Sequence, residues 1–208
     1  MIRPLTTVFA LAIALASPLP GAVHTMKSNE INLFRIIARD GGQQRASLKL
    51  DPILCQVARA QVTDMIKRGY AGHVSPDGIG PNLLARKAGY RFPSYYSDSK
   101  DANSIESFAM TTENPSTALG EWKRHAPDRV HLLGELPFYR DQTRCGIGIV
   151  TSSKAPFYHY IVFISAPPNL SSLRHVVLKD PRGRIITTTG GTSAQALLYK
   201  SLSGTRSD

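Results

Sequence analysis

Apolar residues recur at helical spacing in the first third of this chain and alternate or run together in the last third. A polar, turn-rich stretch separates the two. Residues 30–39 (EINLFRIIAR) carry Ile31, Phe34 and Ile37 on one helical face, with Ser28 or Asn29 placed to cap it and Asp40-Gly41-Gly42 to stop it. Leu48 and Leu50 lead to Asp51-Pro52, an N-cap followed by proline at the first helical position. The helix that starts there is expected to run to Arg68, burying Leu54, Ala58, Val62 and Met65, and to end at Gly69. Cys55 belongs at the edge of that stripe.

A second helical pattern covers residues 82–88, with Asn82 suited as its cap and Gly89 as its stop. Residues 90–103 (YRFPSYYSDSKDAN) have no period and read as a surface loop. Residues 104–110 read as an extended segment with one carboxylate, Glu106, among apolar neighbours. Asn114-Pro115 opens a helix that buries Ala118, Leu119 and Trp122, and a break at Pro127 precedes the helical turn DRVHLLG. The clearest β signal is CGIGIV (145–150) and FYHYIVFI (157–164) around a loop at 152–156. The second of these strands is apolar nearly throughout, so both of its faces are expected to be covered. Helices before and around a central hairpin predict an α/β fold, a three-layer α-β-α sandwich with a mainly antiparallel sheet.

Composition narrows the class. With 208 residues, 42% hydrophobic and 19% charged, the chain has material for one domain and an extension. Residues 1–22 have the makings of a secretory signal: Arg3, an apolar run, and Ala14-Leu15-Ala16 or Gly21-Ala22 for cleavage. A secreted, periplasmic or extracellular location follows, with a retained anchor as the other reading. A domain is expected over 28–168, and 169–208 reads as a basic extension, partly disordered, with a possible hairpin. Its six Lys/Arg (Arg174, Lys179, Arg182, Arg184, Lys200, Arg206) outnumber two Asp.

The formal net charge is +10, yet no basic run exceeds two residues and aromatics do not interleave with a basic face. Nucleic acid is therefore not expected as a partner, and peripheral contact with anionic surfaces is. The two cysteines, Cys55 and Cys145, suit one disulfide in an oxidising compartment, or two buried free thiols.

One stretch carries the chemistry. Residues 72–82, GHVSPDGIGPN, put His73 just before Ser75-Pro76-Asp77-Gly78, residue types that specify a tight turn and so fix where the imidazole points. Ser75 has no evident general base and reads as a turn former. His159 reads as a packed strand residue.

This pattern resembles the CAP superfamily (cysteine-rich secretory proteins, antigen 5, pathogenesis-related 1 proteins) in its short bacterial SCP-domain form. The resemblance spans roughly residues 30–168: INLFR, LKLDPILCQVARAQVTDMIKRGY, HVSPDGIGPNLLARKAGY, NPSTALGEW, DRVHLLG and GIGIV…YHYIVFI. It implies an α-β-α sandwich with a shallow cavity lined by two histidines and two acids, in some members binding a divalent metal.

His73 matches the first histidine of that set, Glu106 the acid of a Gly-Glu-Asn-Ile motif that reads Ile-Glu-Ser-Phe here, and Trp122 the tryptophan of the following helix. Three residues after it stands His125, where relatives carry an acid or serine. Asp128-Arg129 replaces a His-Arg pair. The implied set is His73, Glu106, His125 and Asp128, with His131 as an alternate. It would suit Zn²⁺, or Ca²⁺ or Mg²⁺, with Glu106 as a base; no cofactor is taken as required. Burial would raise the Glu106 pKa. A monomeric, non-enzymatic module binding a small ligand or envelope component is expected, with a metal-dependent, peptidase-like hydrolase as the alternative.

Overall fold

A computed structural model of the chain describes residues 26–154 and 158–170, and the backbone of two further strands at 176–179 and 185–188. The fold is organised by one helix lying on one strand. Helix α2 (Pro52–Arg68) begins where the Asp51 carboxylate accepts from the Ile53 and Leu54 amides, with Pro52 in its first turn. It ends at Gly69, whose φ of 67° is left-handed. Between these signals Leu54, Val57, Ala58, Val62 and Met65 are buried.

The surface they cover is strand β3 (Arg144–Thr151), which meets the helix through glycines. A Cβ on Gly146 would lie 2.1 Å from the Leu54 carbonyl carbon, and one on Gly148 would lie 2.4 Å from that of Ala58. The alternating glycines of CGIGIV thus let a helix backbone rest directly on a strand backbone. Any side chain there would push α2 off the sheet.

The sheet has the order β1-β3-β4-β2, where β1 is Lys49–Leu50, β4 is His159–Ala166 and β2 is Glu106–Thr111. β1 runs parallel to β3, and the other pairings are antiparallel. Period-two alternation splits β4 between two cores. Tyr160, Val162 and Ile164 face α2 and helix α3 (Pro81–Lys87). Ile161 and Phe163 face helices α1 (Ser28–Ala38), α4 (Ala118–Arg124) and α5 (Ala126–Leu133), packing with Leu33, Ile37, Trp122 and Leu132. This is the three-layer arrangement expected, with β4 covered on both faces. A 3-10 turn over Pro115–Thr117 precedes α4, and a short helix α6 (Pro137–Arg140) follows α5. Among the described residues no helix is long and apolar enough to cross a membrane.

Several expectations are corrected. Lys27, not Ser28 or Asn29, occupies the N-cap of α1, because Glu30 reaches back to accept from the Lys27 amide at 2.9 Å. Gly80 is the N-cap of α3, while Asn82 is buried inside its first turn and holds Ser97 O and the Ser104 amide. The stretch 90–103 is no mere surface loop, since Tyr90, Phe92 and Tyr96 are buried in the α2-side core. The short elements β1 and α6 carry too few residues to show a period.

Cys55 and Cys145 are both buried free thiols rather than a bridge. Alternation explains this: Cys145 packs with Ile147 and Ile149 on the α1 side, and the β3 residue that meets Cys55 on the α2 side is Gly146. Burial raises the pKa of both thiols. In the extension, Val176–Lys179 and Ile185–Thr188 pair antiparallel, the hairpin read from the sequence. The signal segment and, apart from Asn169 and Leu170, the rest of the extension lie outside the described residues.

Candidate functional site

β2 is an edge strand, and its first residues open into a cleft of about 230 Å³ closed on the far side by α5. Local chemistry fixes each wall. On one side Gly78 (φ 72°) and the Ser75–Ile79 backbone bond shape the turn after His73, and Gln61 on α2 donates to the His73 carbonyl at 3.1 Å. At the strand start Asn103 accepts from the Ile105 and Glu106 amides and donates to the Glu106 carbonyl. On the other side His125 sits in extended conformation between α4 and α5, and Asp128 lies in the first turn of α5.

All five residues singled out in the sequence line this one cleft: His73, Glu106, His125, Asp128 and His131. They meet in pairs, not as a quartet. His73 Nδ1 lies 2.9 Å from Glu106 Oε1, and His125 Nδ1 lies 2.7 Å from Asp128 Oδ2. His131 is engaged by serines, with Nδ1 at 2.9 Å from Ser107 Oγ and Nε2 at 2.8 Å from Ser165 Oγ.

The Glu106 side chain is wholly buried, and its Oε2 has no hydrogen-bond partner among the described residues. Burial raises its pKa to about 7, against a lowering pull from the His73 hydrogen bond and charge. An orphaned buried acceptor is uncommon in a folded protein and demands a reason.

His131 is also buried, and desolvation with the nearby Arg45 guanidinium lowers its pKa to about 3. Its tautomer follows from the network. Gln142 Nε2 donates to Ser104 O, so its Oε1 accepts the Ser165 proton at 2.6 Å. Arg45 donates to Ser165 Oγ as well. Ser165 then accepts from His131 Nε2–H, and His131 Nδ1 accepts from the Ser107 hydroxyl. The imidazole is neutral and both its nitrogens are in use.

Among the described residues no three His, Cys, Asp or Glu side chains are grouped to hold an ion. Both His131 nitrogens are engaged by serines, whereas His73 and His125 each hold a carboxylate through Nδ1 and keep Nε2. Sequence reasoning missed Ser107, Ser165, Gln142, Asn103 and Tyr139 as parts of the site and its support. Only Asn103, three residues before Glu106, carried a local signal, that of a turn-former at a strand start. His159 lies off the cleft and pairs with Thr151 Oγ1.

No family model matches the sequence. No curated protein matches it. Among solved structures the chain is similar to an extracellular SCP-domain protein of Bacillus anthracis str. Ames, at 20% identity and a TM-score of 0.49, covering 65% of this chain and 40% of that one. It is also similar to an outer surface protein of Borrelia burgdorferi, at 15% identity and a TM-score of 0.52, covering 69% of this chain and 96% of that one. The chain thus spans less than half the length of the Bacillus protein. At such identities the likeness is one of fold alone, and the α-β-α fold of this chain is the one it shares with the Borrelia protein.

Proposed function

We propose that the chain is an exported SCP-type module whose cleft binds a small polar ligand, one that donates a hydrogen bond to Glu106. The observation that carries this reading is Glu106 Oε2, buried, unpartnered and set in the cleft wall. Leaving such an oxygen without a donor costs roughly 1–3 kcal/mol, which a ligand that supplies the donor recovers. The similar Borrelia protein is an outer surface protein, and the apolar run before residue 22 supports export of this chain. Among the described residues no Lys or Arg lines the cleft, so the +10 charge is available elsewhere for contact with anionic envelope surfaces.

The test is an amide-resonance titration against four solute classes: neutral sugars, amines, carboxylates and phosphates. At least one class should shift signals around residues 103–107 and 125–131, and Glu106→Ala should abolish the shift. If no class perturbs these residues, the reading fails.

One observation favours hydrolysis as a second reading. A carboxyl with a pKa near 7, bonded to an imidazole, is suited to general acid–base catalysis. Turnover of chromogenic peptide or ester substrates, lost in Glu106→Gln, would establish it. Its absence from a broad substrate set would leave the cleft as a binding site.

A further inference from the structure

An unbroken line of aromatic rings runs from the wall of the cleft to the surface. His131 and Tyr139 both line the cleft, with ring centroids 5.1 Å apart. Tyr139 meets Phe138 at 5.2 Å, and Phe138 meets Tyr95 at 6.3 Å. Tyr95 is 61% exposed, and Leu136, the N-cap of α6, is 52% exposed. Phe138 and Tyr139 are each half-buried. The two halves of the line come from the stretch 90–103 and from α6, so the ridge exists only in the folded chain.

The ridge does not act as a core element at its outer end. Tyr96, Phe92 and Tyr90 already fill the core behind it, in successive contacts at 5.0–5.1 Å. What the outer rings add is an apolar path joined to a polar cleft. Successive rings meet at 72°, 77° and 61°, so faces and edges alternate along the path.

The cleft end states what the ligand must carry. It offers the unpartnered Glu106 Oε2, the Asp128 carboxylate and two exposed or half-exposed imidazoles, with no Lys or Arg among its lining residues. A phosphate or carboxylate would meet two carboxyl groups and no fixed cation. An apolar acyl chain would bury Glu106 without supplying its missing donor. A pyranose ring satisfies both ends: its hydroxyls donate and accept, and its C–H faces pack against the negative faces of aromatic rings. The ring spacings of 5.1–6.3 Å are of the order of the repeat along a chain of linked pyranoses.

We infer that the cleft and the Tyr139–Phe138–Tyr95 ridge together bind a neutral glycan, one sugar hydroxyl bonding Glu106 Oε2 and the following rings lying along the ridge. This inference rests on the ligand-binding reading of the cleft and names the ligand's class.

The experiment uses the exported chain and three soluble tetrasaccharides: β-1,4-linked N-acetylglucosamine, cellotetraose and mannotetraose. At least one should bind, shifting amide signals both at residues 103–107 and at residues 95 and 136–139. Tyr95→Ala should weaken its binding about tenfold, the scale of one aromatic contact, with the Glu106 signals still responding to the sugar. Asp98→Ala, an exposed change in the same loop and off the ridge, serves as the control and should leave affinity unchanged. Binding at the cleft that Tyr95→Ala does not weaken overturns the ridge and leaves the cleft reading intact. If none of the three binds while an amine, carboxylate or phosphate shifts the cleft signals, the glycan inference fails alone. If no solute of any class perturbs the cleft, both readings fall.

Discussion

The floor and the rim of the cleft hold the same residue types and differ in everything that burial controls. At the rim, the His125 side chain is 66% exposed and its Asp128 partner is partly open to water. On the floor, Glu106 is wholly enclosed and His131 nearly so, and their pKa values move in opposite directions, to about 7 and about 3. Both shifts favour the uncharged form, as desolvation demands. Two carboxylates and three imidazoles therefore make a cavity whose buried base is pushed towards the uncharged forms. Residue type named the participants, and enclosure assigned their states.

The largest break in this contrast should come from His131→Leu. It preserves bulk but leaves the Ser107 hydroxyl without its acceptor and removes a donor from Ser165. Chemical denaturation at pH 7 should show a loss of about 3 kcal/mol, more than any rim substitution.

Next in size is the pH dependence of stability. Glu106 has its folded pKa raised, so its contribution is fully present below the unfolded value of 4.5 and is lost as pH rises through about 7. His131 has its folded pKa lowered, so its contribution is present above 6.5 and is lost as pH falls towards 3. The two oppose each other between pH 4.5 and 6.5. Glu106→Gln should remove the decline on the alkaline side, about 3 kcal/mol, and leave the acid-side loss in place. A variant whose profile keeps the decline would mean that Glu106 titrates normally.

The two His–carboxylate pairs give a sharper comparison at smaller scale. His73→Ala removes the one side-chain partner that the buried Glu106 carboxyl has among the described residues. At pH 8 it should cost about 1–3 kcal/mol, and less at pH 5, where Glu106 takes up a proton. His125→Ala breaks an exposed pair and should cost under about 1 kcal/mol at either pH. Equal losses would show that the floor and rim do not differ as their burial implies.

The smallest effect concerns the thiols. Both should titrate in unreduced, denatured protein, neither should react in the native state, and reductant should leave the unfolding temperature unchanged. One or no free thiol after denaturation would restore the bridge.

Much of the fold was legible from residues alone. Asp51-Pro52 and Gly69 bound α2 because caps act within a few residues of the atoms they satisfy. The nearly unbroken apolar run in residues 157–164 specified a strand covered on both faces. Of the candidate site residues, His73 stood out because it precedes a self-specifying turn and Glu106 because it stands alone among apolar neighbours, whereas His125, Asp128 and His131 were named only through the family resemblance. Even the sense of the Glu106 shift followed from its neighbours in sequence.

Other properties were decided only by the tertiary structure, because they depend on groups far apart in the chain. Gly146 and Gly148 look like ordinary strand residues until α2 is laid upon them at backbone distance. The thiols remain apart because alternation sends Cys145 to one core while Gly146 faces Cys55, a relation that neither cysteine's own neighbours reveal. His131 became a neutral structural link because Ser107 and Ser165 converge on it from β2 and β4, with Gln142, from the stretch before β3, accepting the Ser165 proton. Short-range chemistry wrote the elements and the candidates into the sequence; partners, protonation and enclosure arose from long-range packing, where desolvation sets which charges persist.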